Sequence, residues 1–240
     1  MENGLIIELK GVSKSFAIGG GREFLALKGI DLEIHQGEFT GLVGPSGSGK
    51  TTLLNLMGAL DNATEGSVRV LGRNVESFSH TEAAHFRKES IGFIFQSFNL
   101  LPVYTVFENV EFPLLVAGVA AEERKKTVTQ ALEWVGLLDK MYSRPTQLSG
   151  GESQRVAVAR AIVKKPRIIL ADEPTANLDA ENSHNILRTM VKLNQQLGTT
   201  FVFSTHDQKV IDYLRRKITL VDGRLFKDEA LTPKLAGNDK

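Results

Sequence analysis

Apolar and polar positions alternate in two stretches near the start of the chain and run together in two stretches farther on, which predicts two kinds of strand. Leu27, Ile30, Leu32 and Ile34 approximate a period of two, and Val68 and Val70 flank Arg69 in the same way; Gly37, Gly66 and Gly72 punctuate them as turns. With Met1 to Gly11, which reads as a first strand, these segments predict a small, partly antiparallel sheet. Arg167 to Ala171 and Thr200 to Ser204 are short and nearly all apolar, the pattern of strands buried on both faces of a largely parallel sheet. Between them Ile186, Met190, Leu193 and Leu197 fall at helical spacing and Gly198 supplies a stop, so the order is strand, helix, strand. From about Gln96 to Gly151 the alternation disappears, and Val128, Leu132 and Val135 line one face of a helix expected within Glu122 to Lys140. The fold class expected is α/β, one domain, with a mainly parallel sheet, an N-terminal antiparallel β subdomain and a helical insertion. Residues 1–95 and 154–227 make the core with its β subdomain, 96–153 the helical subdomain, and 228–240 a flexible tail.

The 240 residues, 42% hydrophobic and 24% charged, suit a globular protein with a sizeable core. A formal net charge of +1 leaves no broad basic footprint, so nucleic acid is not an expected partner. The absence of cysteine excludes disulfides, thiolate metal sites and a cysteine nucleophile, and suits a reducing compartment. Met1 to Gly11 carries Glu2, Glu8 and Lys10 and does not read as a secretory signal. The longest charge-free apolar stretch, Phe112 to Ala121, falls short of the roughly 20 residues a membrane-crossing helix needs, so any membrane role must come through a partner.

The chemistry begins at Gly44-Pro45-Ser46-Gly47-Ser48-Gly49-Lys50-Thr51, which fits the phosphate-loop pattern of glycine, four residues, glycine, lysine and a hydroxyl residue. It follows the apolar strand Phe39 to Val43 and precedes a helix-like run, Thr52 to Leu60, which is the context the motif requires. Its glycines permit a backbone wrap that turns N–H groups and a helix N-terminus toward phosphates. Lys50 is expected to neutralise β- and γ-phosphate charge and Thr51 to ligate magnesium. Asp172 ends the apolar run Ile168 to Ala171, where a carboxylate can hold magnesium through a coordinated water, and Glu173 follows where an attacking water would be polarised.

Leu148-Ser149-Gly150-Gly151-Glu152, ahead of an expected helix from Gln154 to Val163, resembles the signature of the ATP-binding cassette (ABC) family. Ser149 and the glycines can present a hydroxyl, N–H groups and a helix dipole to a γ-phosphate. The resemblance runs from about Ile6 to Leu225 and implies a P-loop NTPase core of the RecA-like type that hydrolyses ATP with Mg2+. It implies that the signature serves ATP held by a second copy, in an ATP-sandwiched homodimer. By the same resemblance Gln96 is the Q-loop residue that meets magnesium and the attacking water and senses a membrane partner. Asn177-Leu178-Asp179 matches the D-loop, with Asp179 crossing the dimer interface, and His206 matches the switch histidine on the γ-phosphate. Phe16 stands where the family commonly has a tyrosine stacked on adenine; phenylalanine keeps the flat face and loses the hydroxyl.

Gln96 to Pro102, Thr105 to Val110, Pro113-Leu114 and Ala171 to Asp179 resemble the lipoprotein-releasing and macrolide-exporting ATPases. That implies integral membrane permease subunits as partners and a peripheral place on the cytoplasmic side of the inner membrane. Exposed apolar residues around Phe98 to Val106 would suit a groove for a membrane protein's cytoplasmic helix. A soluble ABC ATPase acting on DNA or ribosomes would show paired cassettes or a long coiled-coil insertion, and this chain has one motif set and no extended heptads. An ATP-binding scaffold for envelope or cell-division proteins would carry the same residues and stays open.

Overall fold

The computed structural model describes residues 4–234. Two long strands, β1 (Leu5–Ile18) and β2 (Arg22–His35), pair antiparallel as a hairpin. Beyond them come β3 (Phe39–Val43), α1 (Lys50–Met57), β4 (Glu65–Val70) and β5 (Arg73–Asn74). Next are α2 (His80–Ser90), β6 (Ile91–Ile94), α3 (Val106–Val116), α4 (Ala121–Trp134) and α5 (Gly150–Ile162). The chain closes with β7 (Ile168–Asp172), α6 (Ala180–Leu197), β8 (Thr200–Thr205), α7 (Gln208–Ile211), β9 (Arg216–Val221) and β10 (Arg224–Ala230).

Two sheets result, a four-stranded one ordered β2-β1-β4-β5 and a six-stranded one ordered β10-β9-β3-β8-β7-β6. The first is antiparallel throughout, and in the second only the β9–β10 pair is antiparallel. Period-two geometry sends successive residues of one strand to opposite faces. Ile169, Ala171, Phe201 and Phe203 accordingly join one core with α3 to α6, while Ile168, Leu170 and Val202 join another with α1, α2 and the antiparallel sheet. Being apolar on both faces, β7 and β8 can lie only at the centre of such a layered arrangement. Their C-terminal ends, with that of β3, open on the same edge of the sheet, where ligands of open α/β folds bind.

Helix boundaries differ from the sequence expectation in an instructive way. The helix expected from Gln154 starts at Gly150, because Ser149 caps it and Glu152 completes a reciprocal capping box. The one expected across Glu122 to Lys140 ends at Trp134, and Leu138–Lys140 form a separate 3-10 turn after Gly136, whose φ of 65° breaks the helix. The first helix runs from Lys50 to Met57 and stops before Leu60. The expected tail is corrected at its start: Asp228 to Ala230 belong to β10, opposite Ile218 to Arg216 of β9, and the Asp228 carboxylate accepts from the Arg216 guanidinium. Residues 1–3 and 235–240 lie outside the described residues.

Candidate nucleotide site

The phosphate-loop segment links β3 to α1. Its last glycine, Gly49, has φ 99° and is the N-cap of α1; a Cβ there would meet the carbonyl oxygen of Ala26 at 2.8 Å, so both conformation and space demand glycine. With no side chain to cap the helix, the N–H groups of its first turn are left for an anion. Lys50 is 7% exposed, and its Nζ donates to the carbonyls of Gly44 (2.8 Å) and Pro45 (3.0 Å), which holds the ammonium against the loop.

A cleft of ≈ 400 Å³ opens above this loop. Ser46, Gly47, Gly49, Lys50, Thr51 and Thr52 form its floor, and Gln96, Asp172, Glu173 and His206 come to it from the ends of β6, β7 and β8. Gly44, Pro45 and Ser48 belong to the same loop outside that lining. Thr51 Oγ1 lies 3.2 and 3.1 Å from the two oxygens of Asp172. One hydroxyl and one carboxylate converge there, and hard oxygen donors in that small number suit Mg2+, which keeps waters and takes its other ligands from phosphate. Among the described residues no group of three or more His, Asp or Glu side chains is placed to hold a metal by itself.

Glu173 has φ 44°, a left-handed conformation unusual for a side-chain-bearing residue, and its N–H donates to Ser204 O at 2.9 Å. Such strain persists only where the surroundings over-determine it. Here they do: Glu173 Oε1 lies 2.6 Å from His206 Nδ1, and Oε2 accepts from Thr205 Oγ1 at 3.2 Å. The side chain of Glu173 is 14% exposed and that of His206 70%. Gln96 is tied through its carbonyl, which accepts from Asn177 Nδ2 at 2.8 Å.

At the far wall Phe16 and Phe24 sit opposite each other in the β1–β2 ladder, both line the cleft, and Ala26 lies beside them. Lys14 Nζ stands 5.1 Å from the Phe16 ring centroid while bonded to Asp61 Oδ1 and Asn62 O. Phe24 carries no motif of its own in the sequence, but Gly19-Gly20-Gly21 is a signal for it: the turn centred on Gly20 puts the residues four before and four after it side by side.

Leu148 to Glu152 lie outside the cleft lining. Ser149 and Gly150 are exposed at the N-terminus of α5. Glu152 Oε2 accepts from the Ser149 N–H at 2.8 Å, and that bond holds the Glu152 carboxyl below the usual range. Gly151 is buried against α6, where a Cβ would come within 2.6 Å of Asn182 Cγ. Asp179 caps α6, accepting from the Asn182 N–H (2.9 Å) and from Asn182 Nδ2 (2.7 Å); the first of these keeps its carboxyl below the ordinary aspartate value.

The loop after Gln96 is pinned from two sides. Arg160 of α5 donates to Phe98 O (2.7 Å) and Asn99 O (2.6 Å), whose residues have φ 61° and 49°. The buried Asn109 accepts from Leu101 N and donates to the carbonyls of Leu101, Tyr104 and Thr105. Within the expected stretch Val103 and Tyr104 are exposed, Phe98 and Leu100 are half-buried and Val106 is buried, and the exposed apolar surface continues beyond it onto α3 through Phe112, Leu115 and Val116.

Loop, helix N-terminus and strand-end carboxylates together define a P-loop nucleotide-binding protein. The sequence profile of the ABC transporter family matches residues 27–176. The chain is 44% identical to the lipoprotein-releasing system ATP-binding protein LolD of Bacteroides thetaiotaomicron, over 93% of this chain and 100% of that one. It is 44% identical to the macrolide export ATP-binding/permease protein MacB of Marinobacter nauticus, over 93% of this chain and 34% of the longer protein. A dimeric, post-hydrolysis structure of the ATP-binding cassette MJ0796 bound to ADP and Pi superposes with a TM-score of 0.88 at 41% identity, covering 95% of this chain and 99% of the other. The chain belongs to the ABC transporter family and is an ABC-type ATPase. No helix among the described residues is long and apolar enough to cross a membrane.

Proposed function

We propose that this ATPase works as an ATP-sandwiched homodimer, seated on integral membrane permease subunits at the cytoplasmic side of the inner membrane, and drives lipoprotein release or export across the bacterial envelope. The observation that carries the dimer is the position of Leu148 to Glu152 outside the cleft that contains the phosphate loop. Exposed Ser149 and Gly150 at a helix N-terminus make a second anion cradle, which one chain cannot bring to its own nucleotide. The second copy's nucleotide is its natural occupant. Likeness to LolD, MacB and the dimeric MJ0796 cassette supports the assembly and the transport role.

In this reading Gly44, Pro45, Ser46, Gly47, Ser48, Gly49, Lys50, Thr51 and Thr52 bind the phosphates and Phe16 stacks on the adenine. Thr51, Asp172 and Gln96 would hold Mg2+, which would supply neutralisation of phosphate charge when bound. Glu173 orients the attacking water by accepting its hydrogen bond; the water oxygen bonds to the γ-phosphorus as the bond to the β–γ bridging oxygen breaks, and the water's protons remain on the released phosphate, leaving ADP and dihydrogen phosphate. His206 steadies the γ-phosphate side and Asp179 meets the other subunit. Residues 96–153 form the helical subdomain that faces the permease. Its exposed Val103, Tyr104, Phe112, Leu115 and Val116 receive the permease's cytoplasmic segment, with Tyr104 and Phe112 rings 6.4 Å apart.

The test is turnover and sizing of Glu173→Gln beside wild type, with Mg2+ and ATP, at several protein concentrations. Lost turnover with ATP-dependent dimerisation is the expected result. Wild-type turnover in the variant would overturn the role of Glu173, and a monomer at every concentration would overturn the self-sufficient sandwich.

A further inference from the structure

The geometry points to Thr205 as a positioning residue that holds the Glu173 carboxylate in place for the attacking water. This rests on the proposed role of Glu173 and adds a residue to which nothing above gives a part in the reaction.

Thr205 is the last residue of β8 and is fully buried. Its Oγ1 has two neighbours: the Asp207 N–H at 3.0 Å and Glu173 Oε2 at 3.2 Å. A backbone N–H can only donate, so the Thr205 oxygen accepts there and its proton points to the carboxylate, which when ionised can only accept. The direction of both bonds is therefore fixed by chemistry.

Asp207 is itself immobilised. Its Oδ2 accepts from Thr175 Oγ1 at 2.8 Å and its Oδ1 from the Lys209 N–H at 2.9 Å, capping α7. Thr175 is 1% exposed and follows Glu173 by two residues. A closed ring results, from Glu173 along the backbone to Thr175, across to Asp207, back to Thr205 and through its hydroxyl to Glu173.

That ring explains how Glu173 keeps its left-handed backbone while its carboxylate stays fixed. The other carboxylate contact, to His206, comes from a side chain that is 70% exposed and free to turn toward a phosphate. Thr205 cannot turn, because it is enclosed by the sheet. When His206 moves to the nucleotide, the buried hydroxyl is the contact that remains on Glu173, and it sets which carboxylate oxygen faces the water. At 3.2 Å this bond is longer than the roughly 2.8 Å optimum for O–H···O, and catalytic hydrogen bonds commonly tighten only in the reacting complex.

The test compares Thr205→Val, which keeps shape and removes the hydroxyl, with Thr205→Ser, which keeps the hydroxyl. Each is made in wild type and in the Glu173→Gln background, and kcat, KM for MgATP and Tm are measured. Thr205→Val should lower kcat about tenfold, which corresponds to about 1.4 kcal/mol in the barrier. KM should be unchanged, Thr205→Ser should restore the rate, and Thr205→Val should cost nothing further in residual single-turnover rate beside Glu173→Gln. If Thr205→Val does not fold, Thr205→Ala carries the same comparison. Unchanged kcat overturns the proposal, as does an equal loss in both backgrounds, which is what a merely structural cap on Asp207 would give. Should Glu173→Gln itself turn over ATP normally, the reading of Glu173 fails, and the proposal with it; loss there with no effect at Thr205 removes Thr205 alone.

Discussion

Gly151→Ala separates two opposing effects whose magnitudes predict the sign. Alanine is favoured over glycine inside a helix by about 0.5–1 kcal/mol, and Gly151 lies in the first turn of α5. Against this, a Cβ at 151 would stand 2.6 Å from Asn182 Cγ and 3.1 Å from Asn182 Cβ, with Oδ1 nearer still. Asn182 is short, sits on α6 and is bonded to Asp179, so it cannot swing clear without losing that partner. Overpacking of this kind costs about 1–3 kcal/mol. The clash outweighs the propensity gain, and the net loss of up to about 2.5 kcal/mol should lower Tm by up to roughly 10 °C at the 2–4 °C per kcal/mol expected for this size. Gly150→Ala is the control: its Cβ would meet Asn177 O at 3.4 Å and Leu178 Cδ2 at 3.8 Å, ordinary contacts that leave only the helix-propensity gain. Thermal unfolding of the two variants beside wild type measures the difference. A Tm of Gly151→Ala equal to or above that of Gly150→Ala would refute the close packing of α5 on α6 and, with it, the link from the signature segment to Asp179.

Phe24→Ala should raise the Kd for ATP about 2- to 10-fold, the range of 0.5–1.5 kcal/mol for an aromatic pair, with kcat unchanged because the base is remote from the phosphates; titration of the binding and steady-state kinetics both check this. Lys164 gives a pH signature, because burial pushes its ammonium down to about 8. From about pH 8 to the ordinary lysine range near 10.4 the unfolded chain holds this proton more fully than the folded one, so wild-type stability should rise with pH relative to Lys164→Met. Below pH 8 the difference should level off, and urea unfolding across pH 7–10.5 reads the slope; a falling or flat difference would contradict the burial of a strained charge beside the Arg87 and Lys88 carbonyls.

What the sequence makes legible here depends on whether a residue acts through its own type or through a neighbour brought by register. The strands β7 and β8 could be read because both faces are apolar, and α6 because Ile186, Met190 and Leu193 fall on one buried face with Gly198 at its end. Helix α2 could not be read from periodicity, since Phe86 is its one buried side chain; Ser79 and Glu82, its reciprocal cap, were the available signal. Residues of the cleft declared themselves by type at the ends of apolar strands, as Gly49, Lys50, Asp172 and His206 do. Their supports did not, because nothing local distinguishes them. Thr205 meets Glu173 only because β7 and β8 pair in parallel with Asp172 opposite Ser204. Asn177 reaches the Gln96 carbonyl only because β6 and β7 pair in parallel and end side by side, and Arg160 reaches those of Phe98 and Asn99 only once α5 is laid along β6. Two of these links, from Thr205 of β8 and Arg160 of α5, tie a carboxylate or carbonyl of an irregular segment to a side chain on a rigid element, while Asn177 joins one irregular segment to another. Left-handed backbone at Phe98, Asn99 and Glu173 occurs at the points so tied. The strain and the clamp are two sides of one arrangement, and substitution of the clamping residue, rather than of the strained one, is the direct way to release it.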